Sequence, residues 1–165
     1  MEIHNRILAL LDDAGAAYEV HSHEPVVSVQ DARERTPHLV EGLVKTIVFN
    51  TAPSAEPPAW VLAAVPAADN VSYKLLAAAA GCSRKRLRLV GGDRVQEELG
   101  FEVGGVGPFP VQDGVRVFLD SAIADMDSII CGAGVRNRSL ALNAAALIAV
   151  SGGELVSLVM REDEA

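Results

Sequence analysis

The chain is 165 residues long and half of it is hydrophobic, which suits one domain with a core of its own. Aromatic residues make up only 4% of it, so that core is expected to be mainly aliphatic, and a net charge of −8 argues against wrapping nucleic acid by charge alone. Cys82 and Cys131 lack CxxC spacing, no basic stretch leads into an apolar run at the start, and the longest apolar runs, such as Ala141 to Val150, are too short to span a bilayer; free thiols, a cytoplasmic setting and no membrane segment are therefore expected.

In chain order, Ile3, Ile7, Leu10, Leu11 and Ala14 follow helical spacing and Gly15 stops them. Ala17 to His21 reads as a short strand. Ser28 caps a helix to about Arg35, with Asp31 three residues on, and Pro37 breaks it. Val44 to Asn50 is a strand, Pro53, Pro57 and Pro58 form a loop, and Trp60 to Val65 is a second strand antiparallel to the first. Ser72 caps a helix through Ala80, with Gly81 as its stop. Leu87 to Val90 reads as a strand and Asp93 to Leu99 as a short helix. Strands at Val115 to Leu119, Ser128 to Cys131 and Ser139 to Leu142 follow, then a helix capped by Asn143 to Val150 and a strand at Glu154 to Val159. The acidic end, Glu162 to Glu164, is expected to fray. Short strands in hairpin-like order among short helices predict an α+β fold: a mostly antiparallel mixed sheet with short helices packed around it, one domain over 1–165 with its core at about 17–159.

Two stretches carry candidate chemistry. Lys45 lies inside a β-branched run, and strand alternation puts it on one face with Leu43, Ile47 and Phe49, opposite Val44, Thr46 and Val48. A lysine there either snorkels from an edge or grips a phosphate or carboxylate, with a lowered pKa if it is buried. Gly104, Gly105, Val106, Gly107, Pro108, Phe109 and Pro110 form a loop richer in glycine and proline than a turn needs. It matches neither the GxxxxGK[ST] nor the GxGxxG pattern, which excludes the usual nucleotide cradles, but its N–H groups can face a developing oxyanion. Gly132, Ala133 and Gly134 form a second turn that bares its backbone and can supply the facing wall.

Weaker signals are Arg84, Lys85, Arg86, Arg88 and Arg94, five cations in eleven residues with one acid, Asp93. They suit either a few phosphate contacts or a solvated, charge-protected edge strand. His21 and His23 have a spacing that some metal sites use, but no third ligand is evident, so no metal is expected. Cys131 reads as a small buried residue rather than a nucleophile, and no GxSxG motif is present.

Taken together, the chain resembles the YbaK/prolyl-tRNA synthetase-associated family, aminoacyl-tRNA deacylases that edit mischarged tRNA. The resemblance runs from about Glu24 to Gly152 and rests on His23 to Ala32, on Val44 to Phe49 with Lys45, on the GxxxP loop at Gly104 to Phe109, and on Gly132 to Gly134 with Leu140. Ser28 stands where many members have threonine, and Val135 to Arg138 replaces the usual basic-glycine pattern. The resemblance implies hydrolysis of the ester between an amino acid and the terminal ribose of tRNA, without a cofactor. Lys45 would hold the terminal phosphate or orient the ribose. The N–H groups of Gly105 to Gly107 would bind the oxyanion, a contribution of roughly 3–4 kcal/mol per donor. Ser28, Thr46, Gly104, Val106, Pro108 and Gly132 to Gly134 would complete the substrate site, and Arg84, Lys85, Arg86 and Arg88 would touch tRNA. Expected partners are the acceptor end of an aminoacyl-tRNA, tRNA-Pro with a small wrong residue such as Cys or Ala, and a synthetase or elongation factor. The alternative is a non-catalytic binding module of the same fold.

Overall fold

The computed structural model describes residues 2–51 and 59–161; the proline loop at Pro53, Pro57 and Pro58 and the acidic end at Glu162 to Glu164 lie outside the described residues. Helix α1, Glu2–Asp13, buries Ile3, His4, Ile7 and Leu11 along one face, the stripe that spacing by three and four residues produces. Strand β1, Glu19–Ser22, follows. Helix α2, Val29–Arg35, opens as its sequence predicts: Ser28 Oγ accepts from Asp31 N–H at 3.0 Å, and the Asp31 carboxylate accepts from Val27 N–H at 3.1 Å. A 3₁₀ turn at Pro37–Leu39 then leads to β2, Val44–Asn50, and its antiparallel partner β3, Trp60–Pro66. Helix α3, Tyr73–Ala80, β4, Arg88–Leu89, and α4, Gly92–Leu99, come before the glycine-proline loop. Strand β5, Val115–Asp120, a 3₁₀ turn at Ser121–Asp125, β6, Ser128–Gly132, β7, Arg138–Asn143, α5, Ala144–Ser151, and β8, Glu154–Val156, complete the described fold.

The fold is mixed α+β, but its strands form two sheets. One is antiparallel, in the order β1-β7-β6; the other runs β4-β2-β3-β5-β8, antiparallel among its first three strands and parallel from β3 through β8. The parallel half arises because the chain travels through α3, β4, α4 and a long loop before it returns beside β3, a crossover rather than a hairpin. The sheets meet at a parallel bridge between Leu43 and Ile130, where Ile130 N–H donates to Gly42 O at 2.9 Å. Gly42 makes this possible: its φ is +80°, and a Cβ there would lie 2.3 Å from Ser128 O.

One apolar cluster fills the space between α1 and the sheets, with Ile7, Leu11, Val48, Leu62, Phe101, Phe109 and Leu140. A second covers the other face of the five-stranded sheet with Phe49, Val61, Leu76, Phe118 and Leu158. The core is mainly aliphatic, yet all four phenylalanines of the chain are fully buried in it. Strand β8 stops three residues earlier than the pattern predicts. The buried Asp120 carboxylate takes Leu158 N–H at 2.9 Å and pairs with Arg161 at 2.7 Å, turning the chain out of the sheet. The strand expected from Leu87 to Val90 shortens to two residues because β2 offers it pairing only at Phe49 and Asn50.

Candidate active site

Strand β2 has β3 along one whole side, but its other side is covered only at the ends, by β4 at Phe49 and Asn50 and by the Leu43–Ile130 bridge. Between them, Lys45 to Ile47 face no strand among the described residues. A cavity of about 270 Å³ fills this gap, closed by α2 on one side and by β6 and the glycine loop on the other. Val48 O points away from β3 to accept from Val90 N–H at 3.0 Å. Backbone alternation therefore turns Thr46 N–H and C=O to the same side, into the gap.

The structure brings Lys45, Ser28, Thr46, Gly104, Val106 and Gly132 to this one cavity. Lys45 shares the Ile47 and Phe49 face, as alternation predicts, and is half-buried at its edge. Its Nζ donates to Asn70 Oδ1 at 3.3 Å. Burial pushes the Lys45 pKa down, the Asp69 carboxylate opposes that, and Arg33 adds to the lowering. The ammonium is thus under-compensated, and an anionic ligand beside it would supply the missing charge. Thr46 takes the opposite face, and its buried Oγ1 has no hydrogen-bond partner among the described residues.

The two glycine segments, far apart in sequence, form one wall. Gly104, at φ +88°, lies so close to the chain before α2 that a Cβ would sit 2.0 Å from Val26 O. Gly107 is packed against Gly132 O, and Gly132 against Val106 O, with 2.3 and 2.2 Å to the positions their Cβ atoms would take. Gly134 N–H donates to Gly105 O at 2.7 Å, and Glu102 N–H to Gly134 O at 3.0 Å. One expectation changes here. Gly105 N–H is spent on Glu102 O at 2.8 Å, so Gly105 offers no free donor to an oxyanion. Among the described residues, Val106 and Gly107 N–H have no backbone acceptor, and Val106 lines the cavity. Gly105, Gly107, Pro108, Ala133 and Gly134 stand behind the lining and shape it.

Arg84, Lys85, Arg86 and Arg88 are exposed and do not reach the cavity. Arg88 pairs with Asn50, five residues along β2 from Lys45, hence about 17 Å away at strand rise. Arg84 stacks on Tyr73 at 4.3 Å and Arg94 on Trp60 at 5.3 Å, so part of the cluster also covers aromatic surface. His21 contacts Glu19 at 3.5 Å, while His23 bonds Ser139 Oγ at 2.8 Å at the cavity wall. Among the described residues no group of three metal-ligating side chains forms around either. Cys131 lines the cavity yet is 1% exposed, and burial pushes its thiol up to about 12, so it is a poor nucleophile.

Residues 23–150 match the family model of the aminoacyl-tRNA editing domain. The chain belongs to this family. The matched segment holds α2, β2 and both glycine loops, so the whole cavity of this editing domain falls within the match; α1 falls outside it. Two solved structures have the same fold, each at 18% identity and TM-score 0.78. One is a proposed trans-editing enzyme for prolyl tRNA synthetase, covering 98% of this chain and 99% of its own; the other is the hypothetical protein APE2540, covering 94% and 99%. No curated protein matches the sequence.

Sequence reasoning named Lys45, Ser28 at the start of α2 and both glycine segments, but not Gly42, His4 or Asn70. A glycine just before a strand was the only local signal for Gly42. Nothing local marks Asn70 as a partner of a lysine twenty-five residues earlier.

Proposed function

We propose that this editing domain is an aminoacyl-tRNA deacylase that removes a small wrong amino acid from the acceptor end of tRNA. The observation that carries the reading is the cavity at the uncovered edge of β2, where a half-buried cation, Lys45, stands across from a wall of bare backbone. In the reaction, water adds to the ester carbonyl, the tetrahedral oxyanion collapses, and the ribose oxygen leaves and takes up a proton. Lys45 binds the terminal phosphate or orients the ribose. Val106 N–H and Thr46 N–H replace Gly105 as the donors to the oxyanion. Among the described residues no carboxylate or imidazole lines the cavity, and in this reading a hydroxyl of the tRNA itself activates the water. In a cysteinyl substrate, the thiol can instead attack its own ester.

A cavity of about 270 Å³ suits a small side chain such as that of Ala, Cys, Ser or Thr. One methylene changes selectivity by only about 1–3 kcal/mol, so a larger cognate residue must be kept out by steric clash. The likeness in fold to a proposed trans-editing enzyme for prolyl tRNA synthetase favours tRNA-Pro as the acceptor and that synthetase as the partner; an elongation factor as partner and a cytoplasmic setting belong to the same proposal without support from that likeness. A second reading, a binding module without turnover, is favoured by the missing side-chain base.

The test is deacylation of tRNAs charged with Ala, Cys, Ser, Thr or Pro by wild type and Lys45→Ala. Hydrolysis of one mischarged species, lost in the variant, supports both the reaction and the site. Binding without turnover of any species supports the module. Turnover unchanged by Lys45→Ala keeps the enzyme and removes Lys45 from its mechanism.

A further inference from the structure

Helix α1 lies outside the 23–150 match, yet it reaches the back of the cavity wall. His4 is 2% exposed, in a stripe otherwise made of Ile3, Ile7 and Leu11. An imidazole among aliphatic side chains is costly to bury unless it is hydrogen-bonded. Its Nδ1 lies 2.7 Å from Ala133 O, and since a carbonyl only accepts, Nδ1 carries the proton and donates. Ala133 is the middle residue of the Gly132 to Gly134 turn. The same helix closes on the next residue as well: a Cβ on Gly134 would lie 3.1 Å from both Ile3 and Ile7 and 3.2 Å from His4 N.

This turn is held from two sides. Toward the cavity, Gly132 is packed on the Val106 backbone and Gly134 N–H is tied to Gly105 O. From behind, its carbonyl at Ala133 is tied to His4. If that carbonyl lost its donor, it would be buried without a partner, and the turn would be driven to shift toward another one. Gly132 and Val106 would shift with it, because their backbones touch without slack.

We propose that His4 is a positioning residue for the deacylation site: it pins the Ala133 carbonyl from α1 and so fixes the Gly132–Val106 wall against which the ester is held. The inference rests on the deacylase reading for its activity arm, but the pinning itself is measurable without it. A leucine keeps the volume and removes the donor, while an asparagine places its Nδ2 where the histidine carries Nδ1.

The experiment compares wild type, His4→Leu and His4→Asn by native-state amide exchange and by single-turnover and steady-state deacylation. In His4→Leu, the Gly134 amide is expected to exchange at least about tenfold faster while amides of the β2–β3 pair keep their protection. Over the same comparison kcat falls about tenfold with KM little changed, and His4→Asn restores both readouts. Unchanged Gly134 exchange in His4→Leu overturns the proposal, as does unchanged kcat in a variant whose Gly134 exchange has risen. A wild type that deacylates nothing refutes the function instead, and the exchange of Gly134 then decides the pinning alone.

Discussion

Replacing Gly132 with alanine tests whether the two glycine segments form a single wall. The new Cβ would lie 2.2 Å from Val106 O, 2.6 Å from Val106 C and 2.7 Å from Gly105 O. All three are backbone atoms, so no side chain can swing aside. Ordinary contact begins at 3.4 Å, and the difference from 2.2 Å asks the loop to retreat by 1.2 Å. Gly132 is not among the glycines with positive φ, so the clash, not the backbone angle, is the whole perturbation. Over-packing of this kind costs about 1–3 kcal/mol. For a domain of this size that lowers Tm by about 2–12 °C. A wall displaced by about 1 Å also costs on the order of 100-fold in kcat/KM. Thermal unfolding by circular dichroism and deacylation of the preferred mischarged tRNA measure the two effects. Gly91→Ala serves as control, since a Cβ there meets nothing within 4 Å. A Gly132→Ala protein with wild-type Tm and wild-type turnover would refute the contact between the loops and the wall built from it.

Three further expectations follow from other parts of the fold. Burial works to raise the Asp120 pKa, but hydrogen bonds from Arg161, Leu158 N–H and Ala122 N–H outweigh it and hold the carboxyl below its ordinary value of 3.8. Its contribution to stability is therefore full above about pH 4 and is lost as pH falls through the lower folded value; Arg161→Ala should remove about 1.5–3 kcal/mol at neutral pH and shallow the acid limb of the unfolding profile. In native protein iodoacetamide should label the half-buried Cys82 and spare Cys131, with both labelled after denaturation, as mass spectrometry would read; labelling of native Cys131 would contradict its burial. The Arg86→Ala, Arg88→Ala double variant should weaken tRNA binding and reduce its salt slope by about 2 if the RNA runs along β4, and an unchanged slope would mark those arginines as a solvated edge.

Much of the site was legible because its signals are local. Lys45 stands out against a β-branched strand whatever surrounds it, and alternation alone assigned it the Ile47 and Phe49 face. Gly104 to Pro110 exceeds the needs of a turn. Ser28, Ser72 and Asn143 each cap the helix predicted for them, at 3.0, 3.2 and 2.7 Å. Capping is settled within three or four residues, so the sequence suffices. The free amides of the glycine loop were less legible. Which amide of a glycine loop stays free depends on where its neighbours find acceptors, and Gly105 found Glu102.

The amino-acid sequence by itself thus determined the elements, their caps and stops, and the residue types that could meet a phosphate and an ester, since φ restrictions and periods of two and 3.6 act over a few residues. Tertiary structure alone decided that the strands split into two sheets, that Gly42 lets them touch, and that, among the described residues, β2 is left uncovered from Lys45 to Ile47. It also decided that Gly132 closes on Val106, that His4 reaches Ala133 across 129 residues of sequence, and that the basic cluster faces elsewhere. Those outcomes depend on which distant surfaces can be buried together without leaving a polar group unpaired, and no window of neighbouring residues carries that information.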